Sequence, residues 1–432
     1  MEPALPRGVR DVSSKEAMLR RQMVRIIENT FQRFGFLPMD TPAIETLDVL
    51  NAKAYGDEAK KEIYTLDGEK SGLRFDLTVP LARYIAMNRS MPMPFKRYQI
   101  GTSWRKEEPQ KMRYREFLQA DVDIVGSSGV YADAEVVAAA ASAIERIGVS
   151  DYSMLINSRK ILDFVLTHFG VPENLKIGSI RIIDKLAKQG RENVVRMLAD
   201  LGLSGDACNK IIDFISNDGS NEQKISSLES IGMHGEQLSD LLLLLGLLEK
   251  YSLKGKIVLS MSLARGMDYY TGFIWEFTVP GEDGGAVPTI AAGGRYDKLI
   301  GLYSKSDLSA TGASIGVDRV FDIVYRKDVP VLLESVYIAN VSEEDMESAV
   351  SLANEFRSAG ACADINTTQR GISKQLEYAN AMHFHYAVIM GKQERESGKI
   401  RLKDLITGKE ELLEKSDALN ILLANSDNNL NR

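Results

Sequence analysis

The chain has 432 residues, of which 44% are hydrophobic and 26% charged, a composition typical of a folded protein with two to four domains. Its apolar runs fall far short of the roughly 20 residues that a membrane span needs, and two cysteines are too few for a disulfide framework or a cysteine zinc site. A net charge of −7 argues against a protein that coats nucleic acid through a general basic field. These features predict a cytoplasmic protein with no membrane partner.

The first 150 residues combine a helix with a long hairpin. A serine at position 13 or 14 can cap a helix whose apolar residues recur with the 3.6-residue period until Gly35 ends it. Two strands, Phe95–Trp104 and Phe117–Val125, follow and are joined by a charged loop into an antiparallel hairpin. Residues 96–116 carry seven lysines and arginines against three glutamates. This basic cluster is either a solvated surface or a local site for phosphate groups.

Residues 158–252 differ from their surroundings, because short amphipathic helices follow one another there without any candidate chemistry. The predicted helices are Ile180–Lys188, Arg191–Leu201, Cys208–Ser216, Glu222–Ile231 and Glu236–Glu249. Strand patterns return over residues 253–326, which end in a predicted helix over Ser314–Tyr325. Residues 331–432 alternate strands and helices, a pattern typical of a separate α/β domain. We therefore expect the segments 1–157 and 253–326 to form one domain that the helices interrupt.

Several common catalytic motifs are missing from the sequence. It has no G-x-x-x-x-G-K-[ST] phosphate loop, no H-E-x-x-H pair and no G-x-G-x-x-G after a strand. None of the four histidines stands beside a candidate nucleophile, so the sequence does not indicate a hydrolase triad. His383 and His385 lie at the start of a predicted strand, where histidines are more often packed or on the surface than bound to metal. We therefore expect no metal ligands in the chain.

The strongest functional signal is a set of arginines and tyrosines in glycine-rich segments. These segments are LARGMDYYTG at 263–272, AAGGRYD at 291–297 and GASIGVDR at 312–319. The hairpin adds Arg105 and Glu107 on one strand, and Gln119, Asp121 and Asp123 on one face of the other. Any single arginine could equally form an ordinary ion pair. Several arginines that converge on a floor of strands suit a polyphosphate, and together they predict a nucleotide site.

Over essentially its whole length the chain resembles histidyl-tRNA synthetase, a class II aminoacyl-tRNA synthetase. The class is indicated by the segment from the first helix to Pro42, by SWRKEEPQKMRYREFLQ at 103–119 and by GVDR at 316–319. The amino acid is indicated by ARGMDYYTG at 264–272 and GGRYD at 293–297, while FDLTVP at 75–80 and QADVDIVG at 119–126 match the substrate strands. Asp123, where many bacterial members have glutamate, leans towards the archaeal and eukaryotic branch.

The resemblance implies an α/β (α+β) fold with an antiparallel-sheet catalytic domain at 1–157 and 253–326, a helical insertion at 158–252 and an α/β anticodon-binding domain at 331–432. It implies that histidine and ATP react to histidyl-adenylate and pyrophosphate, and that histidine is then transferred to the 3′ end of tRNA-His. It also implies a homodimer, and Mg²⁺ that accompanies ATP without any tightly bound cofactor.

The resemblance also assigns roles to individual residues. The catalytic residues would be Arg265 and Arg105. Histidine would be bound by Asp76, Thr78, Arg105, Gln119, Asp123, Arg265, Tyr269 and Tyr270, and ATP by Arg105, Glu107, Arg113 and Arg319. Gln110 and Arg115 would contact the tRNA acceptor end, although Arg113 and Arg115 can each serve ATP or acceptor phosphates.

Two alternatives belong to other functional classes. The less favoured is a synthetase-like module that only senses uncharged tRNA, since the hosts of such modules usually carry a kinase domain. A non-catalytic paralogue of this family binds histidine as a regulatory subunit of ATP phosphoribosyltransferase. Such paralogues usually lack the anticodon-binding domain and lose catalytic arginines, whereas Arg105, Arg265 and Arg319 are present here and an α/β domain follows Pro330. The sequence therefore favours the ligase. Histidine-dependent ATP–pyrophosphate exchange distinguishes the two activities.

Overall fold

The structure, a computed structural model, describes residues 3–52, 61–66, 68, 70–264, 269–281, 288–304, 306–325, 333–368 and 370–430. The chain divides into two compact units, Met1–Lys327 and Asp328–Arg432. Each unit has a hydrophobic core of its own. Within the described residues, no helix is both long and apolar enough to cross a membrane.

The first unit is organised around one large sheet. The strands of this unit are β1 (Leu37–Pro38), β2 (Ile44–Thr46), β3 (Thr65–Leu66), β4 (Ser71–Leu73), β5 (Phe95–Trp104), β6 (Glu116–Val125), β7 (Ser153–Ser158), β8 (Ile257–Leu259), β9 (Phe273–Thr278), β10 (Thr289–Arg295) and β11 (Ala310–Gly316). Eight of them form the large sheet in the order β1-β5-β6-β11-β10-β9-β7-β8, and the other three form a small sheet in the order β2-β4-β3. In the large sheet, β1 and β5 pair in parallel, as do β7 and β8, and the other neighbours are antiparallel. The predicted antiparallel-sheet fold is confirmed.

The predicted hairpin forms the second and third strands of the large sheet. Strands β5 and β6 pair without interruption from Phe95 opposite Val125 to Trp104 opposite Glu116. Apolar residues of β6, such as Val122, alternate with polar ones, such as Asp121 and Asp123, and all three are buried. Because successive side chains of a strand point to opposite faces, one face of β6 can pack in the core while the other carries polar groups.

The helices of the first unit differ in how they begin, and several of them start at a serine that caps the first turn. They are α1 (Ser14–Arg33), α2 (Leu47–Asn51), α3 (Thr78–Met87), α4 (Val130–Arg146), α5 (Arg159–His168), α6 (Glu173–Ile183), α7 (Leu186–Asp200), α8 (Gly205–Ile215), α9 (Asn221–Ser230), α10 (Glu236–Lys250) and α11 (Val317–Tyr325). In α1, Ser13 and Glu16 form a capping box, in which the Ser13 hydroxyl accepts from Glu16 N at 3.3 Å and the Glu16 carboxylate accepts from Ser13 N at 2.9 Å. Gly35, with φ of 76°, follows the end of this helix as the sequence predicts.

The helices between residues 159 and 250 correct one prediction. The expected helix Ile180–Lys188 is wrong, because α6 ends at Ile183 and α7 begins at Leu186. Gly190 has φ of 76° and interrupts α7, since a left-handed residue cannot continue a right-handed helix. The amphipathic pattern correctly indicates helices in this segment. Their boundaries, however, are set by the turn at Asp184 and by the backbone of Gly190.

A second correction concerns the segment before α11. The sequence predicts a helix from Ser314, but Ser314 and Gly316 belong to β11 and the helix begins at Val317. Ser314 pairs with Asp121 on one side and with Ala292 on the other. Two neighbouring strands thus provide hydrogen-bond partners that override the local helical pattern.

The second unit is the predicted α/β domain. Its strands are β12 (Leu333–Asn340), β13 (Cys362–Ile365), β14 (Phe384–Met390), β15 (Ile400–Asp404) and β16 (Glu410–Leu413), and its helices are α12 (Met346–Ser358), α13 (Ile372–Ala381), α14 (Lys392–Ser397) and α15 (Lys415–Leu430). The sheet order is β13-β12-β14-β15-β16, with β12 parallel to β13 and β14 and the last two pairs antiparallel. Sequence reasoning missed α14, β16 and α15. The first two are short and rich in charged residues, so they show no clear periodicity.

Candidate active site

Side chains from neighbouring strands of the large sheet form three rows on one face. Residues opposite each other in a sheet point to the same side, and so do alternate residues of one strand. The rows are Arg97, Asp123, Gly312 and Gly294; Gln99, Asp121, Ser314 and Ala292; and Gly101, Gln119 and Gly316. Polar side chains thus come from β5 and β6, whereas β10 and β11 contribute small residues that leave room above them.

Two positions in these rows need glycine, because a side chain there would collide with a neighbouring residue. A Cβ atom on Gly312 would overlap the carboxylate of Asp123, with the Asp123 Cγ atom only 2.7 Å away. A Cβ atom on Gly294 would lie 2.8 Å from Cδ1 of Tyr270 and 2.7 Å from a backbone oxygen. Glycine therefore allows Asp123 and Tyr270 to lie directly against the strands.

A cavity of about 530 Å³ opens over this face, a volume typical of small-molecule sites. The sequence-predicted residues that line it are Asp76, Thr78, Arg105, Glu107, Arg113, Gln119, Asp123, Tyr269, Tyr270 and Arg319. Gln110 and Arg115 are not among the lining residues and lie in the loop between β5 and β6. Arg265 lies outside the described residues.

One end of the cavity is acidic. Asp121 and Asp123 are buried side by side, and Arg97, which is fully buried, forms an ion pair with Asp123 at 2.8 Å. The Tyr296 hydroxyl donates to the other oxygen of Asp123. Burial is the largest effect on the two carboxyl groups, and it raises the pKa of Asp121 to about 7 and also raises the pKa of Asp123. The charge of Arg97 lowers both pKa values, whereas the charge of nearby Asp76 raises them. Two carboxylates beside one arginine leave negative charge at this end, which suits a cationic ligand.

Tyrosines and the start of α3 enclose the acidic end. The rings of Tyr269 and Tyr270 meet edge to face with centroids 4.9 Å apart. Burial raises the pKa of both hydroxyls, so both stay protonated at physiological pH and can donate as well as accept. Asp76 precedes α3, and its Oδ1 accepts from the backbone N–H of Thr78 at 3.1 Å. This bond fixes the Asp76 carboxyl group at the helix start.

The other end of the cavity carries arginines. The guanidinium carbon of Arg105 lies 4.3 Å from the ring centroid of Phe75 and 4.9 Å from that of Phe117. Its Nε atom donates to Phe75 O at 3.2 Å. Arg319 donates from Nη1 to Thr289 O at 2.8 Å. Both guanidinium groups are therefore held in place beside the cavity, an arrangement suited to phosphate or carboxylate oxygens.

The loop between β5 and β6 is held by its own charged residues. Glu107 and Arg113 form an ion pair. The Arg115 side chain donates to Glu107 O at 3.0 Å and to Arg7 O at 3.2 Å, and Gln110 N donates to Arg113 O at 3.2 Å. Among the described residues, no three His, Cys, Asp or Glu side chains are placed to hold a metal ion.

Sequence reasoning missed a cluster around Asp318, next to Arg319. Asp318 forms ion pairs with Arg10 at 3.2 Å and Arg20 at 3.1 Å, and its Oδ2 accepts from Leu118 N at 2.6 Å. The cluster joins the N-terminal segment, β6 and the start of α11. No local pattern connects residue 10 with residue 318, so a single sequence offers no signal for it.

The structure gives two further arginines partners that the sequence analysis did not assign. Arg97 was not singled out, and the register of β5 and β6 places it opposite Asp123. Arg295, within one of the glycine-rich segments, points away from the cavity and forms bonds of 3.1 and 2.9 Å with buried Asp133 and one of 3.0 Å with Gly129 O. Arg295 thus joins β10 to α4 and is not among the residues that line the cavity.

Known proteins share this architecture over nearly the whole chain. The family model for histidyl-tRNA synthetase matches residues 8–320, and the model for the anticodon binding domain matches residues 335–425. The histidine–tRNA ligase of Phocaeicola vulgatus is 33% identical, with 98% of this chain and 99% of the relative covered. That of Aeropyrum pernix is 37% identical, with 94% of each chain covered.

A solved structure agrees with these relatives. The crystal structure of histidyl-tRNA synthetase from Nostoc sp. PCC 7120 superposes with a TM-score of 0.86 at 28% identity, covering 98% of this chain and 100% of that one. The family model alone spans more than half of the chain. With the geometry of the cavity, these similarities show that the chain belongs to the histidyl-tRNA synthetase family.

Proposed function

We propose that the cavity activates L-histidine with ATP and that the protein then transfers histidine to the 3′ end of tRNA-His. The observation that carries this proposal is the polarity of the cavity, which has buried carboxylates at one end and fixed arginines at the other. A cationic amino acid can lie at the acidic end while phosphates lie at the basic end. The carboxylate of the amino acid then meets the α-phosphate between them.

Histidine binding is assigned to the acidic end. Asp123 and Tyr270 would bind the N–H groups of the imidazole ring, with Tyr269 beside the ring. The resemblance assigns the α-ammonium group to Asp76, Thr78 and Gln119, and all three residues line the cavity. A buried carboxylate only accepts hydrogen bonds, so an analogue without the matching N–H leaves it unpaired and is rejected by roughly 10⁴–10⁵.

ATP binding is assigned to the basic end. Arg105 would contact both the α-phosphate and the histidine carboxylate, since its guanidinium is fixed by two aromatic rings and a backbone oxygen. Arg319 would bind the γ-phosphate, Arg113 a further phosphate and Glu107 the adenine side. We assign Arg265 to the transferring phosphoryl group by the resemblance. Mg²⁺ would arrive with ATP and neutralise the β- and γ-phosphates.

The chemistry needs alignment and charge stabilisation. A carboxylate oxygen of histidine attacks the α-phosphorus, and the bond from that phosphorus to the bridging oxygen breaks to release pyrophosphate. A hydroxyl of the terminal tRNA ribose then attacks the carbonyl carbon of the adenylate and releases AMP. Neither step uses a protein nucleophile, so arginines fixed before the reaction supply most of the catalysis.

The remaining assignments concern tRNA and assembly. We propose that Gln110 and Arg115 contact the acceptor end, and that the unit after Lys327 binds the anticodon. The helices at residues 158–252 would form an insertion in the catalytic domain. Exposed apolar side chains lie within and just after the segment from the first helix to Pro42, with Leu37 63% and Ile44 52% exposed. We propose that a second copy covers them in a homodimer. The exposed free thiol of Cys362 suits the reducing cytoplasm.

The substitution Asp123→Asn tests the histidine assignment. It keeps the shape of the side chain but adds an N–H donor where only an acceptor fits. In histidine-dependent ATP–pyrophosphate exchange, the KM for histidine should rise by at least roughly tenfold, while the KM for ATP stays within about twofold of wild type. Equal changes in both constants would mean that Asp123 only supports the strand. Histidine binding without any exchange in the wild-type protein would favour the regulatory paralogue.

A further inference from the structure

Asp121 lies in the middle of the proposed histidine site, yet the assignments above give it no role. Its side chain lies on the same face of β6 as Gln119 and Asp123, and successive residues on one face are about 7 Å apart. Asp121 is 2% exposed and lines the cavity. Its Oδ1 atom is buried and has no hydrogen-bond partner within the described structure. An unpaired carboxylate oxygen at such a place is costly unless a ligand binds it.

A directed chain of hydrogen bonds connects Asp121 to Gln119. The Gln119 side chain donates from Nε2 to the Ser314 hydroxyl oxygen at 2.7 Å. Because a hydroxyl has a single hydrogen, Ser314 has that hydrogen left for the carboxylate of Asp121, with which its side chain is hydrogen-bonded. The chain leaves Oε1 of Gln119 buried and without a partner. This acceptor is therefore available to a positively charged group.

The charges around Asp121 leave it incompletely neutralised. Arg97 on β5 lowers its pKa, whereas Asp123 on the same strand and Asp76 before α3 raise it. Arg74 and Tyr270 are also within electrostatic reach. Burial has the largest effect, and the pKa of the free carboxyl group is raised to about 7. A cation in the cavity would compensate the ionised form.

We propose that Asp121 is a further substrate-binding residue, which supplies the counter-charge for the α-ammonium group of histidine and, through Ser314, holds Gln119 with its carbonyl oxygen towards that group. The inference rests on the proposed function, because it takes the ligand to be histidine. It differs from the role of Asp123, since Asp123 already accepts from Arg97 and Tyr296 at the imidazole end.

The substitution Asp121→Asn tests this inference with three ligands. Histidine and histidinol both carry the ammonium group and the imidazole ring, whereas 3-(imidazol-4-yl)propionate lacks the ammonium group. Affinities are measured at pH 8 by isothermal titration calorimetry or competition. Asp121→Asn should lower the affinity for histidine and histidinol by roughly 10- to 100-fold, and the affinity for 3-(imidazol-4-yl)propionate by less than about threefold. The melting temperature of the unliganded variant should rise, because a buried and poorly neutralised charge is removed.

A matched control and a second variant separate this role from a structural one. Asp133→Asn also removes a buried carboxylate, but one that is paired with Arg295 away from the cavity. It should lower the melting temperature and change the affinity for all three ligands by the same factor. Ser314→Ala breaks the chain to Gln119 and should weaken the two ammonium ligands by roughly three- to tenfold, with the third unchanged.

The possible outcomes are distinct. If Asp121→Asn weakens all three ligands equally, lowers the melting temperature or fails to fold, Asp121 is a structural residue and the inference is wrong. If Asp121→Asn folds and Ser314→Ala leaves the affinity for histidine unchanged, the chain to Gln119 has no part in binding. If the wild-type protein binds neither histidine nor histidinol, the proposed function fails instead.

Discussion

Gly312→Ala should damage histidine binding through Asp123 without touching the ATP end of the cavity. The new methyl group would overlap the Asp123 carboxylate, with its carbon 2.7 Å from the Asp123 Cγ atom. Carbon atoms in contact are normally about 3.5–4.0 Å apart, so the carboxylate must move by about 1 Å. The 2.8 Å ion pair with Arg97 would then lengthen beyond hydrogen-bonding distance. The oxygen that accepts from the substrate N–H would be displaced by a similar distance.

The size of the effect follows from this displacement. A hydrogen bond to a charged group contributes about 1.5–3 kcal/mol, so the KM for histidine in ATP–pyrophosphate exchange should rise roughly 10- to 150-fold. The KM for ATP should stay within about twofold, because Arg105 and Arg319 lie elsewhere. Gly246→Ala in α10 is the control, since it does not line the cavity and its methyl group would meet no atom within 4 Å. A folded Gly312→Ala variant with a normal KM for histidine would refute the reasoning.

Two further predictions concern protonation and the second unit. A bound cation favours the ionised form of Asp121, whose pKa is about 7, so histidine binding at pH 6.5 should release a fraction of a proton. Calorimetry in two buffers of different ionisation enthalpy measures this release, which should be missing in Asp121→Asn. The raised pKa also means that unliganded stability falls as pH rises from about 4 to 7, and this slope should flatten in the same variant. Removal of Asp328–Arg432, a separate compact unit, should spare pyrophosphate exchange but sharply reduce charging of tRNA-His. Charging at the wild-type rate would contradict the anticodon-binding assignment.

The hairpin and its polar face could be predicted from the sequence because they depend on local periodicity. Two strands of ten residues with a charged loop between them have few alternative structures. Once β6 is assigned, its period of two places Gln119, Asp121 and Asp123 on one face, and all three line the cavity. The glycine-rich segments were informative for a different reason, since a side chain at Gly312 would displace the carboxylate of Asp123.

The features that the sequence did not reveal depend on contacts between distant residues or on small local effects. The ion pair of Arg97 with Asp123 requires the register of the hairpin, and that of Arg10 with Asp318 spans 308 residues. Helix α3 was missed because Pro80 normally argues against a helix, yet it lies in the first turn, where its missing N–H costs nothing. The strand at Ser314 depends on two neighbours that single-sequence patterns cannot supply.

The central claim is that the acidic end of the cavity selects histidine for reaction with ATP. ATP–pyrophosphate exchange by the full-length protein with each of the 20 standard amino acids in turn is the most direct test. The account predicts exchange with histidine and a rate lower by at least roughly 10⁴ with every other amino acid, because none of them presents the same N–H groups to Asp123 and Tyr270. Exchange at a comparable rate with another amino acid, or none with histidine, would contradict it.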